Sequence, residues 1–335
     1  MSSLLSKSAA TSKSSASAAP KATRFLDPSA LMRIKNLEMR SKVIVEGFLT
    51  GLHRSPFHGF SVEFSEYRQY TSGDDPRYVD WKLYARTDRF YLKRYREETN
   101  LRCYILVDLS KSMSYGSSAI TKVDYAKTCA ATIAYFLWLQ RDAVGLVTFD
   151  NAIGDVLPPR YRAGHLHRLM MLLERATGGE STDLVAPLEQ VAKTAPKRGV
   201  VVLISDVLAP VEAVKTRMGY LRSQGHDVVL LRVLDPAEIE FEFTIESLFE
   251  DLETGRQLYV DPKSIRASYL QKFEAHSAEL RRACDGLGVD LVNLRTDQPL
   301  ELALFDFLSA RARRGKFVER RGAAASSGSS AGGAT

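Results

Sequence analysis

The residues best suited to chemistry are Asp108, Ser110 and Ser112, in the run Cys103-Tyr-Ile-Leu-Val-Asp-Leu-Ser-Lys-Ser-Met-Ser114. A carboxylate followed at two-residue intervals by two hydroxyls turns three hard oxygens toward one point when the loop curls over the end of a strand. Oxygen-only donors suit Mg²⁺ or Mn²⁺ rather than zinc. The same residue types also cap a following helix well, and on this triplet alone capping is the stronger reading. The apolar run Cys103 to Val107 has the character of a buried parallel strand, so the triplet stands at a strand tip, where α/β folds gather their ligands.

Two later segments bring matching groups. Gly178-Gly179-Glu180-Ser181-Thr182-Asp183 is a glycine-led loop opening a helix, and it offers the Thr182 hydroxyl and the Asp183 carboxylate. The apolar run 199–205 ends in Ser205-Asp206, a second carboxylate at a strand tip. With Asp108, Ser110 and Ser112 these form an all-oxygen set. His165 and His167 lack a third nitrogen or thiolate nearby and read as surface residues, not zinc ligands.

The elements that must position these groups follow from the apolar pattern. Strands are expected at 102–108, 143–149, 199–205, 227–234 and 289–294, with an antiparallel edge strand at Ile153 to Leu157. Helices are expected at about 121–140, 164–176, 183–195, 210–224, 262–285 and 299–313. Continuous Val/Ile/Leu runs alternating with helices specify an α/β fold, a doubly wound and mostly parallel sheet covered on both faces. Ahead of it, Asp27-Pro28 opens a helix through about Glu46, which Gly47 and Gly51 then break. Short β-like runs at Phe60–Phe64 and Phe90–Tyr95, around a turn at Thr71–Pro76, form a small β-containing subdomain. The organisation expected is a disordered tail over 1–26, the helix and β-containing segment over 27–100, the main domain over 101–314 and a flexible tail over 315–335.

Composition narrows the function. The 335 residues are 45% hydrophobic, enough for a substantial core, and 46 basic residues are interspersed with 40 acidic ones. That mixture describes a mixed-sign surface and not a nucleic-acid groove. Arg311, Arg313, Arg314, Lys316, Arg320 and Arg321 cluster at the end as a solvated helix end and tail. Cys103, Cys129 and Cys284 lack metal or disulfide spacing and read as reduced core residues of a cytoplasmic protein. No apolar run is long enough to span a membrane. Phosphate-loop, dinucleotide-turn, nucleophile-elbow and H-E-x-x-H motifs are all absent from the sequence.

The Asp-x-Ser-x-Ser strand tip, the Gly-Gly-x-x-Thr loop some seventy residues on and the strand ending in Ser-Asp together resemble the metal-ion-dependent adhesion site of von Willebrand factor A-like domains. The resemblance implies Asp108, Ser110 and Ser112 as first-strand ligands, Thr182 as the loop ligand and Asp206 as the third-loop acid, with some acids acting through water. Two departures stand out. Val207 occupies the position of a glycine common in the family, and Ser181 competes with Thr182, although the family's helix leucine, matched by Leu188, favours Thr182. Upstream, Gly51-Leu-His-Arg-Ser-Pro-Phe-His-Gly-Phe-Ser-Val-Glu-Phe64, Tyr67-Arg-Gln-Tyr-Thr-Ser-Gly-Asp-Asp-Pro-Arg77 and Asp80-Trp-Lys-Leu-Tyr-Ala-Arg86 resemble the signature of the domain-of-unknown-function 58 (DUF58) family. That similarity runs over about Leu26 to Arg314. It implies a bacterial adaptor working beside a MoxR-type AAA+ ATPase.

The function expected is therefore non-catalytic, metal-assisted protein recognition, in which Mg²⁺ or Mn²⁺ accepts an acidic residue from a protein partner. The alternative is a Mg²⁺-dependent phosphohydrolase of the haloacid dehalogenase type with Asp108 as nucleophile. Such enzymes usually need a second Asp two residues on, where this chain has Ser110.

Overall fold

A computed structural model describes residues 27–52, 67–69, 91–93, 101–175, 187–189, 198–252 and 255–308. The strands are β1 (Tyr67–Gln69), β2 (Tyr91–Lys93), β3 (Arg102–Asp108), β4 (Ala143–Phe149), β5 (Ile153–Arg160), β6 (Val200–Ser205), β7 (Asp227–Leu234), β8 (Ser247–Glu250), β9 (Gln257–Val260) and β10 (Asp290–Arg295). The helices are α1 (Pro28–Met32), α2 (Leu37–Leu52), α3 (Lys122–Leu139), α4 (His165–Arg175), α5 (Val211–Ser223), α6 (Pro236–Glu240), α7 (Pro262–Leu287) and α8 (300–308).

The central sheet has the order β10-β7-β6-β3-β4-β5, parallel except for β5. Alternation along β3 shows why it is covered on both faces. Cys103, Ile105 and Val107 join a core with α1 to α4 and α8, while Tyr104 and Leu106 join a second core with α5 and α7. The sheet is thus doubly wound, as the sequence indicates. Chain direction reverses at β3: the chain first steps outward to β4 and β5, then returns to β6 on the other side. The β3/β6 crevice is consequently the topological switch point.

The edge strand β5 tolerates Pro158 and Pro159 because they fall at a register shift between Leu157 and Arg160 on a strand whose outer side needs no ladder bond. Its close approach requires Gly145, where an added Cβ would lie 2.7 Å from the Leu157 carbonyl oxygen. Helix α3 is buried almost all round and begins at the Thr121 cap. The Thr121 hydroxyl accepts from the Asp124 N–H and donates to its carboxylate.

Several expectations need correction. The first helix is two helices, because the Asn36 carboxamide accepts from the Met39 N–H and caps α2, while Glu174 of α4 accepts from the Leu37 N–H. Nor does Gly47 end α2: Ile44, Val45 and Phe48 are buried around it, and their burial exceeds the cost of about 1 kcal/mol for a helical glycine. Helix α6 and the β8–β9 hairpin were not foreseen. Strand β2 lies within the expected 90–95 run and pairs antiparallel with the unforeseen β1. The 60–64 run, the 71–76 turn and most of the 183–195 helix lie outside the described residues. His165 is buried, not superficial, with Nε2 2.7 Å from the Val144 carbonyl oxygen. His167 is exposed beside Glu38. All three cysteines are buried, and none forms a disulfide among the described residues.

Candidate cation site at the switch point

Register fixes the first part of the site. Val107 pairs with Ile204, so the next residues, Asp108 and Ser205, come level at the carboxyl ends of β3 and β6. The Ser205 hydroxyl donates to Asp108 Oδ2 at 2.6 Å, and the Ser110 N–H donates to Oδ1 at 2.9 Å. The loop then curls through a 3-10 turn, Lys111–Ser114, bringing the Ser110 and Ser112 hydroxyl oxygens to 3.0 Å. Asp108 and Ser110 are fully buried, and among the described residues Asp108 makes no ion pair.

Burial, and then the charge of nearby Asp206, push the Asp108 carboxyl up to about 6; the hydrogen bonds from Ser205 and Ser110 oppose that rise. An ionised carboxylate in this place is under-compensated. A divalent cation would supply what is missing, and the neutral hydroxyls beside it are donors of the kind Mg²⁺ accepts. Two lone pairs of the carboxylate are used, and a carboxylate has about four acceptor positions.

Asp206 stands differently. Its Oδ2 lies 2.9 Å from the Lys122 ammonium, which is fully buried and also lies 2.5 Å from Glu238 Oε1. Burial lowers the Lys122 pKa, but attraction to Asp206 and Glu238 outweighs it, and the net shift is upward. The Asp206 backbone is also held, since Arg232 Nε donates to its carbonyl at 3.0 Å. Val207 adopts a left-handed φ of 52°, which costs a β-branched residue about 1–3 kcal/mol. The surroundings hold it there: its side chain is fully buried, its N–H donates to Ser205 Oγ at 3.0 Å, and its carbonyl oxygen is 2.9 Å from His276 Nε2. The glycine position noted in the sequence is thus a left-handed position, filled here by valine.

Lys122 and Glu238 escaped the sequence reading. The first leaves a signal, because a basic residue at the first position of a helix opposes the helix dipole. The second lies in Asp235-Pro-Ala-Glu238, a capping box that opens α6. Its Asp235 also accepts from the Ser117 N–H at 2.9 Å, tying α6 to the loop that follows Ser112.

Of the five expected ligands, Asp108, Ser110 and Ser112 are gathered at one strand tip, and Asp206 lies beside them with one oxygen committed to Lys122. Thr182, with its competitor Ser181 and with Asp183, lies outside the described residues; Leu188 is buried. No group of three or more His, Cys, Asp or Glu side chains among the described residues is placed to hold a metal ion, so any cation here depends on hydroxyls. No described helix is long and apolar enough to cross a membrane.

Comparison with known proteins adds the following. Residues 66–279 match the family model described as "Protein of unknown function DUF58". The uncharacterized protein Rv1480 of Mycobacterium tuberculosis is 28% identical over 292 residues, covering 86% of this chain and 91% of that one. Among solved structures, the conserved hypothetical protein BatB from Bacteroides thetaiotaomicron has 17% identity and a TM-score of 0.42, over 63% of this chain and 99% of that one. The SpRpn10 VWA domain has 14% identity and a TM-score of 0.38, over 61% of this chain and 93% of that one.

Proposed function

The chain belongs to the DUF58 family, and from that premise we propose that it is a non-catalytic adaptor that recognises an acidic residue of a protein partner through a divalent cation at the β3/β6 switch point. The observation that carries the proposal is the Asp108 carboxylate, buried without an ion pair among the described residues and flanked by the Ser110 and Ser112 hydroxyls. In this reading Asp108, Ser110 and Ser112 hold Mg²⁺ or Mn²⁺, Asp206 contributes through water, and Thr182 adds a hydroxyl from its loop. The cation supplies a charged coordination position for a partner's Glu or Asp. Ser205 orients Asp108, and burial of the strand tip keeps bulk water from competing.

The partner proposed is a MoxR-type AAA+ ATPase or its client, in bacterial cytoplasm; both follow from the family resemblance. The test is size-exclusion chromatography of the full chain with the co-expressed ATPase, in Mg²⁺ and in EDTA. A complex that forms in Mg²⁺ and is lost in EDTA and with Asp108→Ala supports the proposal. A complex indifferent to both contradicts it. Phosphatase turnover abolished by the same substitution would favour the hydrolase alternative.

A further inference from the structure

Among the described residues the site holds two aspartates at neighbouring strand tips and one buried ammonium group, and the ammonium is paired with only one of the two. Lys122 Nζ is 2.9 Å from Asp206 Oδ2 and 2.5 Å from Glu238 Oε1, and the lysine has no exposure. It cannot drift away. Glu238 is fixed at its other oxygen, which accepts from the Asp235 N–H at 3.0 Å, and its backbone carbonyl accepts from the Tyr269 hydroxyl at 2.9 Å. Arg232 adds a second positive group behind Asp206, its guanidinium stacked 5.2 Å from the Phe273 ring and one of its nitrogens, Nη2, unpaired among the described residues. Asp206 thus shares the Lys122 ammonium with Glu238 and has Arg232 bonded to its backbone carbonyl, while Asp108 is answered by neutral donors.

We infer that Lys122 is the specificity-determining residue of the cation site: by pairing with Asp206 it leaves a bound divalent ion compensated, among the described residues, by Asp108 alone, with a net positive charge available to a partner carboxylate. The inference rests on the metal-site reading above and goes beyond it by assigning the residual charge to one side chain. Were Asp206 free, two carboxylates would cancel a divalent charge, and an incoming Glu or Asp would gain little from the ion. With Asp206 committed, the partner's acid completes the neutralisation. Lys122 stands at the first position of α3, where the helix dipole disfavours it, so its local cost is offset only by the two carboxylates it joins. It acts through Asp206 and is a positioning residue.

The test is calorimetric titration of the full chain with Mg²⁺. Lys122→Met should tighten Mg²⁺ binding about tenfold or more, because a unit charge is removed and Asp206 is released toward the ion. Lys122→Arg should restore the parental affinity. In the parental background Asp206→Asn should change affinity by less than about threefold, whereas added to Lys122→Met it should return affinity to the parental level. Unchanged or weaker binding by a folded Lys122→Met chain overturns the inference, as does loss of Mg²⁺ binding on Asp206→Asn alone. If Lys122→Met does not fold, Asp206→Asn decides by the same criterion. Failure of the metal reading is distinguishable: a parent that binds no Mg²⁺ overturns that reading and the inference with it, whereas a parent that binds Mg²⁺ as tightly as Lys122→Met overturns the inference alone.

Discussion

Asp108 and Asp206 end adjacent strands of one sheet, and both are buried, yet the fold treats them in opposite ways. The Asp206 carboxylate meets a buried lysine, and Arg232 holds its backbone carbonyl; the Asp108 carboxylate meets the Ser205 hydroxyl and the Ser110 N–H. An ion-paired carboxylate is a finished piece of structure. One satisfied only by neutral donors is a place for a further positive charge. The contrast distinguishes a carboxylate held by an ion pair from one held by neutral donors alone, although both carry the same side chain.

The largest effect that sharpens this contrast comes from its charged half. Lys122→Met leaves the buried Asp206 and the half-buried Glu238 without their cation and should cost about 3–5 kcal/mol of unfolding free energy in EDTA, measured by denaturant titration. A loss under about 1 kcal/mol would erase the difference between the two aspartates.

Next comes the pH dependence of the uncharged half. The folded Asp108 pKa of about 6 lies above the unfolded reference of 3.8. Its contribution to stability is therefore present below the unfolded value and is lost as pH rises through the folded one. Without metal, unfolding free energy should fall by about 2–3 kcal/mol from this group between pH 4 and 7. Asp108→Asn should remove that fall, and saturating Mg²⁺ should offset it increasingly above pH 6. A parental pH profile that the substitution does not alter would place Asp108 on the same footing as Asp206.

A smaller effect is expected at Ser205, which donates to Asp108. Ser205→Ala should cost about 1–3 kcal/mol at pH 7.5 and less at pH 4, where Asp108 is protonated, as thermal unfolding would reveal. The smallest effect is at the exposed Arg175–Asp155 pair, remote from both aspartates in character. Arg175→Ala should change stability by less than about 1 kcal/mol.

The sequence made the sheet legible because strands buried on both faces are written as unbroken apolar runs, and β3, β4, β6 and β7 are such runs. Even the antiparallel edge at Ile153 was visible. The grouping of Asp108, Ser110 and Ser112 was equally readable, since they lie within five residues on one strand tip. What resisted reading was long-range. Lys122 meets Asp206 84 positions away and Glu238 116 positions away, and periodicity carries no information about which helix start faces which strand end. The Asp235-Pro-Ala-Glu238 box lay in a segment expected to be a connection, and the Asn36 cap lay inside a stretch expected to be one continuous helix. Gly47 was misread because propensity weighs a residue alone, whereas packing of Val45 and Phe48 decided the helix.

The central claim is that a divalent cation belongs on the Asp108 side of the switch point and not on the Asp206 side. Anomalous diffraction from crystals of the full chain grown with Mn²⁺ tests it most directly. The account predicts one ion at about 2.1–2.2 Å from the Ser110 and Ser112 hydroxyl oxygens, with the Lys122–Asp206 pair intact. An ion bound directly by Asp206 with Lys122 displaced, or no ion at the strand tip, would contradict it.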